Sequence, residues 1–128
     1  MTPRPLTLLV LDETFAVCRL GAGAAVPPWA TAGAFSSVTR TPDEVSVVCA
    51  EGTVPDGVTC ERGWRCLRVA GVFEFSAVGV LAALVTPLAE AGVAVLAVAT
   101  FDTDYLLVKA EDLGTAVDAL RRAGHVVA

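Results

Sequence analysis

The chain has 128 residues, of which 55% are hydrophobic and 18% charged, and its formal net charge is −5. A body of that size can bury roughly two-thirds of its extended-chain surface, so the composition predicts one or two packed units and excludes a disordered chain. The nine basic residues are scattered singly except for Arg121 and Arg122, leaving no basic stripe to replace the counterions around phosphates, and nucleic acid is excluded as an expected partner.

The opening, MTPRPLTLLVLDE, carries one arginine and a six-residue apolar stretch before Asp12, too short for a signal peptide. The longest apolar stretches lie near 77–89 and 92–101. Both fall short of the roughly 18 residues that suggest a membrane span, so no membrane partner and a cytoplasmic location are expected. Cys18, Cys49, Cys60 and Cys66 stand at spacings of 31, 11 and 6, without a C-x-x-C pair, and His125 is the single histidine. That spacing predicts no metal site, and the cysteines read as small buried hydrophobes in a reducing compartment.

In chain order, LTLLVL and TFAVCRL are expected to form a hairpin across Asp12 and Glu13. GAGAAVPPWATAGA holds too much glycine and proline for more than a turn or two of helix. FSSVTRT and EVSVVCA form a second expected hairpin across Pro42 and Asp43, and 51–63 reads as a loop. WRCLRV, residues 64–69, alternates as a half-buried strand. A helix follows, with Ser76 as a good N-cap, Val80, Leu81, Leu84, Val85 and Leu88 on one face, and Gly92 as its stop. Pro87 removes a backbone donor and predicts a kink or a tightened last turn.

VAVLAVATF, residues 93–101, reads as a central strand buried on both sides. Asp102 and Thr103 turn the chain into YLLVK; Glu111 and Asp112 open a last helix, Gly124 ends it, and HVV forms a final strand. The second half thus reads β-α-β-β-α-β, the ferredoxin-like plan. The first half carries strand signals of a similar unit with its helices cut down. The expected fold is α+β, with two ferredoxin-like units: 1–60, helix-poor, and 61–128.

Three strings are specific beyond this order: FSSVTRTPDEVSVVC, GWRCLRV and GVLAALVTPLAEAGVAVLAVATFDTDYLLVKAEDL. From about residue 14 to 124 the chain resembles the tandem ACT family of short bacterial double-ACT proteins, and the repeating units of the CASTOR arginine sensors. The resemblance implies a non-enzymatic regulatory protein, a homodimer in that family's manner, that holds an amino acid or related small metabolite at a seam between paired ACT domains, without a cofactor. Carried over by position, the ligand-binding residues it implies are Ser76, Val78 and Gly79, Ala94 and Val95, and Thr100, Phe101 and Asp104. Backbone N–H groups at the helix start suit a carboxylate, and Asp104 suits an ammonium. Ala77 and Ala94 replace a glutamate and a serine of the arginine sensors, so a ligand with a less polar or smaller tail than arginine is expected.

Blander readings stand beside these. Asp102-Thr103-Asp104 is also an ordinary polar turn, Ser76 an ordinary cap, and Glu74 a solvated loop acid. Gly21-Ala22-Gly23 imitates a dinucleotide fingerprint, but Val26 stands where its third glycine belongs and Pro27-Pro28 where its helix should open. His125 sits at a helix exit away from any nucleophile, and Cys18 on a strand without an activating partner, so no catalytic residues are assigned. A protein-interaction module without a metabolite of its own is the alternative function.

Overall fold

A computed structural model describes residues 5–73 and 78–128. Among the described residues, seven strands, two α-helices and three single 3-10 turns follow one another: β1 (Thr7–Gly21), β2 (Ser37–Arg40), β3 (Glu44–Ala50), β4 (Cys60–Val69), α1 (Val80–Glu90), β5 (Leu96–Ala99), β6 (Asp104–Lys109), α2 (Leu113–Arg122) and β7 (Val126–Val127), with 3-10 turns at Pro28–Thr31, Glu51–Thr53 and Ala110–Asp112. The chain forms two compact units, Glu13–Trp64 and a two-segment unit of Met1–Asp12 with Arg65–Ala128.

The hairpin expected across Asp12 and Glu13 does not form: β1 is one strand of 15 residues. Asp-Glu offers neither the positive φ nor the fixed φ that a tight turn requires. The Glu13 carboxylate instead accepts the Ala34 N–H at 3.2 Å.

In Glu13–Trp64, the strands lie in the order β2-β3-β1-β4. The expected second hairpin is present, with β2 and β3 antiparallel and Val38 opposite Val47. β1 pairs β3 from Phe15↔Ala50 to Gly21↔Glu44. Ala16, Cys18, Val45, Val47 and Cys49 share the face that Ala30, from the Pro28–Thr31 turn, helps to cover. The Thr53 hydroxyl, 3.1 Å from the Trp29 carbonyl and 2.9 Å from that of Ala50, ties the two 3-10 turns to β3. The expected loop 51–63 is shorter than read, since β4 begins at Cys60.

In the two-segment unit, the order from β4 onward is β-α-β-β-α-β, as the sequence predicts. The start of β1 lies beside β4, with the Ala70 N–H donating to the Thr7 carbonyl at 2.8 Å. It also takes β7 as a parallel partner, Thr7↔Val126 and Leu8↔Val127. Both helices bury one stripe against this sheet: Leu84 and Leu88 of α1, and Ala116, Ala119 and Leu120 of α2, pack with Leu8, Leu67, Val69, Leu106, Val108 and Val127.

Burial on both sides falls on β6, where Leu106, Leu107 and Val108 are fully buried, and not on 93–101. β5 is confined to Leu96–Ala99, ends the strand order and alternates between half-buried and exposed. Its alanines occupy the exposed positions, which prolongs the apolar string without requiring burial. The first helix begins at Val80, not after Ser76. Its cap is Gly79 at φ 81°, with no side-chain cap bond, a left-handed conformation that favours glycine.

Both helices end as their glycines predict. Val93 N–H donates to the Leu88 carbonyl past Gly92, and His125 N–H to the Leu120 carbonyl past Gly124, each at 3.0 Å. The second stop delivers the His125 ring to α1. Nδ1 accepts the Leu6 N–H at 3.0 Å, so the ring hydrogen sits on Nε2, which donates to the Ala83 carbonyl at 3.1 Å. Ala83 is four residues before Pro87, whose missing N–H would otherwise have satisfied that carbonyl. The helix defect expected at Pro87 is therefore repaired from outside the helix.

Burial pushes the Cys66 thiol from an ordinary value near 9 up to about 12. The folded state thus keeps this proton where the unfolded chain releases it. Its contribution is fully present below about pH 9 and is lost as pH rises from there toward 12. Denaturant midpoints are expected to fall between about pH 9 and pH 10.5, and less steeply in Cys66→Ala; equal slopes would remove Cys66 as the cause.

Candidate functional site

The candidate site is built wholly within the two-segment unit, from three pieces of chain. Pro5, Leu6 and Thr7 enter β1; Ala70, Gly71 and Phe73 leave β4; and Val78, Gly79, Val80 and Ala83 begin α1. They line a cavity of about 760 Å³, within the range of small-molecule pockets. The lining is apolar, with Leu6 and Phe73 packed against the core that anchors it.

Polar character enters from the backbone. Among the described residues, α1 starts without an acidic residue in its first turn and without a side-chain cap, and the first N–H groups of a helix have no partner within it. Those donors and the positive end of the helix dipole favour a carboxylate. A second depression of about 470 Å³, on the far side of Ala83, is lined by Thr86, Pro87, Glu90 and His125 among others.

The β5–β6 turn is fastened next to the loop that leaves β4. The Phe73 N–H donates to the Asp102 carbonyl at 2.8 Å, and the buried Thr103 hydroxyl to the Val69 carbonyl at 2.7 Å. Thr100 closes the turn, its N–H and hydroxyl both donating to the Thr103 carbonyl at 2.8 and 2.9 Å.

Of the residues expected at the site, Val78 and Gly79 line the cavity. Thr100, Phe101 and Asp104 belong to the turn tied to Phe73; Asp104 is half-buried opposite Ala99, and Phe101 is 77% exposed. Ala94 is exposed before β5, while Val95 packs against the core, and neither lines the cavity. Ser76 lies outside the described residues, as does Glu74. The sequence reading missed Leu6, Thr7 and Phe73. Gly71 before Phe73 was the local signal, but nothing local places Leu6 against a helix more than seventy residues later.

Among the described residues no group of three or more His, Cys, Asp or Glu is placed to hold a metal ion. Nor, among them, is any helix long and apolar enough to cross a membrane.

A family model described as an ACT domain matches residues 59–122, and a second, described only as an N-terminal domain, matches 13–57. No curated protein matches the chain. Among solved structures, a protein of Agrobacterium tumefaciens is 37% identical, with a TM-score of 0.93 over 98% of this chain and 94% of that one. A Vibrio cholerae protein of unknown function, described as a possible transport protein, is 19% identical at a TM-score of 0.75, covering 92% and 89%. The regulatory subunit of aspartate kinase from Thermus thermophilus is 13% identical at 0.62, covering 88% and 95%, a likeness of fold. The ACT match takes in both helices, strands β5 and β6 and the cavity-lining residues Ala70, Gly71, Phe73, Val78, Gly79, Val80 and Ala83, and on that ground the chain belongs to the ACT domain family.

Proposed function

We propose that the chain is a regulatory module that binds a small amino acid, or a metabolite of like chemistry, with an apolar tail. One observation carries this reading: an apolar cavity of about 760 Å³ bordered by a helix start that has no side-chain cap among the described residues. The ligand carboxylate meets the first N–H groups of α1, its tail lies among Leu6, Phe73 and Val80, and its ammonium is met from the turn by Asp104. An uncharged lining disfavours a guanidinium tail, in keeping with Ala77 and Ala94 in the sequence.

A second copy of the chain completes the seam in this proposal, with Glu13–Trp64 serving as a reduced ACT-like unit. Val72, Val78 and Phe101 are 76%, 96% and 77% exposed, and exposed apolar side chains around one site mark a surface that a partner covers. The same side chains support the second reading, a protein-interaction module without a metabolite.

A thermal-shift panel of amino acids and nucleotides separates the two. At a hundredfold excess over Kd a ligand adds about 2.7 kcal/mol, a rise of roughly 10 °C for a chain of this size. Leucine, isoleucine, valine or phenylalanine is expected to give such a rise and arginine none. Arginine as sole stabiliser would refute the apolar-tail reading, and a flat panel would leave the interaction module as the better account.

A further inference from the structure

Three of the four cysteines meet in the Glu13–Trp64 unit. Cys18 on β1 and Cys49 on β3 are buried, and Cys60, the first residue of β4, is half-buried. In the β1–β3 register Cys18 faces Val47 and Ala16 faces Cys49, which makes Cys18 and Cys49 diagonal neighbours on one face. On the other side of β1 the Arg19 N–H donates to the Thr59 carbonyl at 2.9 Å. That bond sets Cys18 directly opposite Cys60, at a position where the two residues exchange no backbone hydrogen bond. Antiparallel partners of this kind stand about 4.5 Å apart at Cα, inside the roughly 4.4–6.8 Å that a disulfide spans. The Cys18 thiol is close enough to both Cys49 and Cys60 for each to act on it.

We propose that Cys18 and Cys60 form a redox-responsive dithiol that closes to a cross-strand disulfide when the protein meets a hydroperoxide. Cys60 reacts first, because it is the accessible member. Its sulfur takes one oxygen from ROOH, giving Cys60–SOH and ROH. The Cys18 sulfur then attacks that sulfur, and the Cys18 proton leaves with the hydroxyl as water. The peroxide is reduced, and the two thiols are oxidised. Burial holds the Cys18 thiol up to about 12, which leaves little thiolate to meet peroxide directly; its part as the resolving thiol comes from its place opposite Cys60. Cys49 is diagonal, fully buried and hydrogen-bonded with Thr53, and it stays reduced.

The test is treatment of the reduced full chain with hydrogen peroxide, followed by alkylation, intact mass measurement and non-reducing peptide mapping. The expected result is uptake of two alkyl groups fewer than the untreated reduced chain, a single Cys18–Cys60 cross-linked peptide, and full reversal by dithiothreitol. Cys49→Ser is expected to form the same link. Cys18→Ser is expected to stop at a Cys60 sulfenic acid that dimedone traps. Cys60→Ala, which changes a partly exposed position and is expected to fold, should lose both products. A Cys18–Cys49 link, an exclusively intermolecular disulfide, or peroxide oxidation of Cys60 with no cross-link in the folded wild-type chain would each overturn the proposal.

Discussion

Replacing His125 with alanine is expected to destabilise the protein by about 3 kcal/mol, read as a shift in the denaturant midpoint and a fall of roughly 10 °C in Tm. The ring is 7% exposed and joins two backbone groups that have no other partner among the hydrogen bonds described, the Leu6 N–H and the Ala83 carbonyl. Truncation leaves both unsatisfied near the core, at about 1–3 kcal/mol each where water cannot enter. Pro87 makes this more than an ordinary loss. A residue with an N–H at position 87 returns a donor to the Ala83 carbonyl, so His125→Ala is expected to cost about 1 kcal/mol less in a Pro87→Ala background. Simple addition of the two effects would show that the carbonyl is not the shared element. Proline inside a helix commonly costs about 3 kcal/mol, and here the imidazole offsets part of that cost.

The features legible in the sequence are those specified by a few neighbouring residues. Gly92 and Gly124 marked the helix stops, Leu84 and Leu88 the buried stripe of α1, and EVSVVCA its strand. What was not legible depends on strand partners far away in the chain. Asp12-Glu13 looked like a turn because strands of ordinary length were assumed, and 93–101 looked central because alanine counts as apolar whether or not anything covers it. The opposition of Cys18 and Cys60 is likewise a matter of register across forty-odd residues, which spacing alone does not encode. The site divides the same way. Val78 and Gly79 came from the family resemblance, but Leu6 enters through a pairing with β7 at the other end of the chain.

That division makes Val80 the sharpest probe of the cavity. It stands at the first position of α1, lines the candidate cavity and is partly exposed, so a larger side chain can grow into the empty space instead of displacing the core. Val80→Trp is expected to leave apo stability within about 1 kcal/mol of the parent, since an indole filling apolar space gains contact area while a helix start tolerates the ring. It is also expected to abolish the Tm rise given by the amino acid that the panel identifies, from roughly 10 °C to about 1 °C or less, because the indole occupies the space beside the first N–H groups of the helix. Equal apo stability with lost ligand response separates a blocked site from a damaged fold. Retention of the full rise in Val80→Trp would move the binding site away from this cavity, and the depression bordered by Thr86, Glu90 and His125 would be the next place to probe by the same kind of substitution.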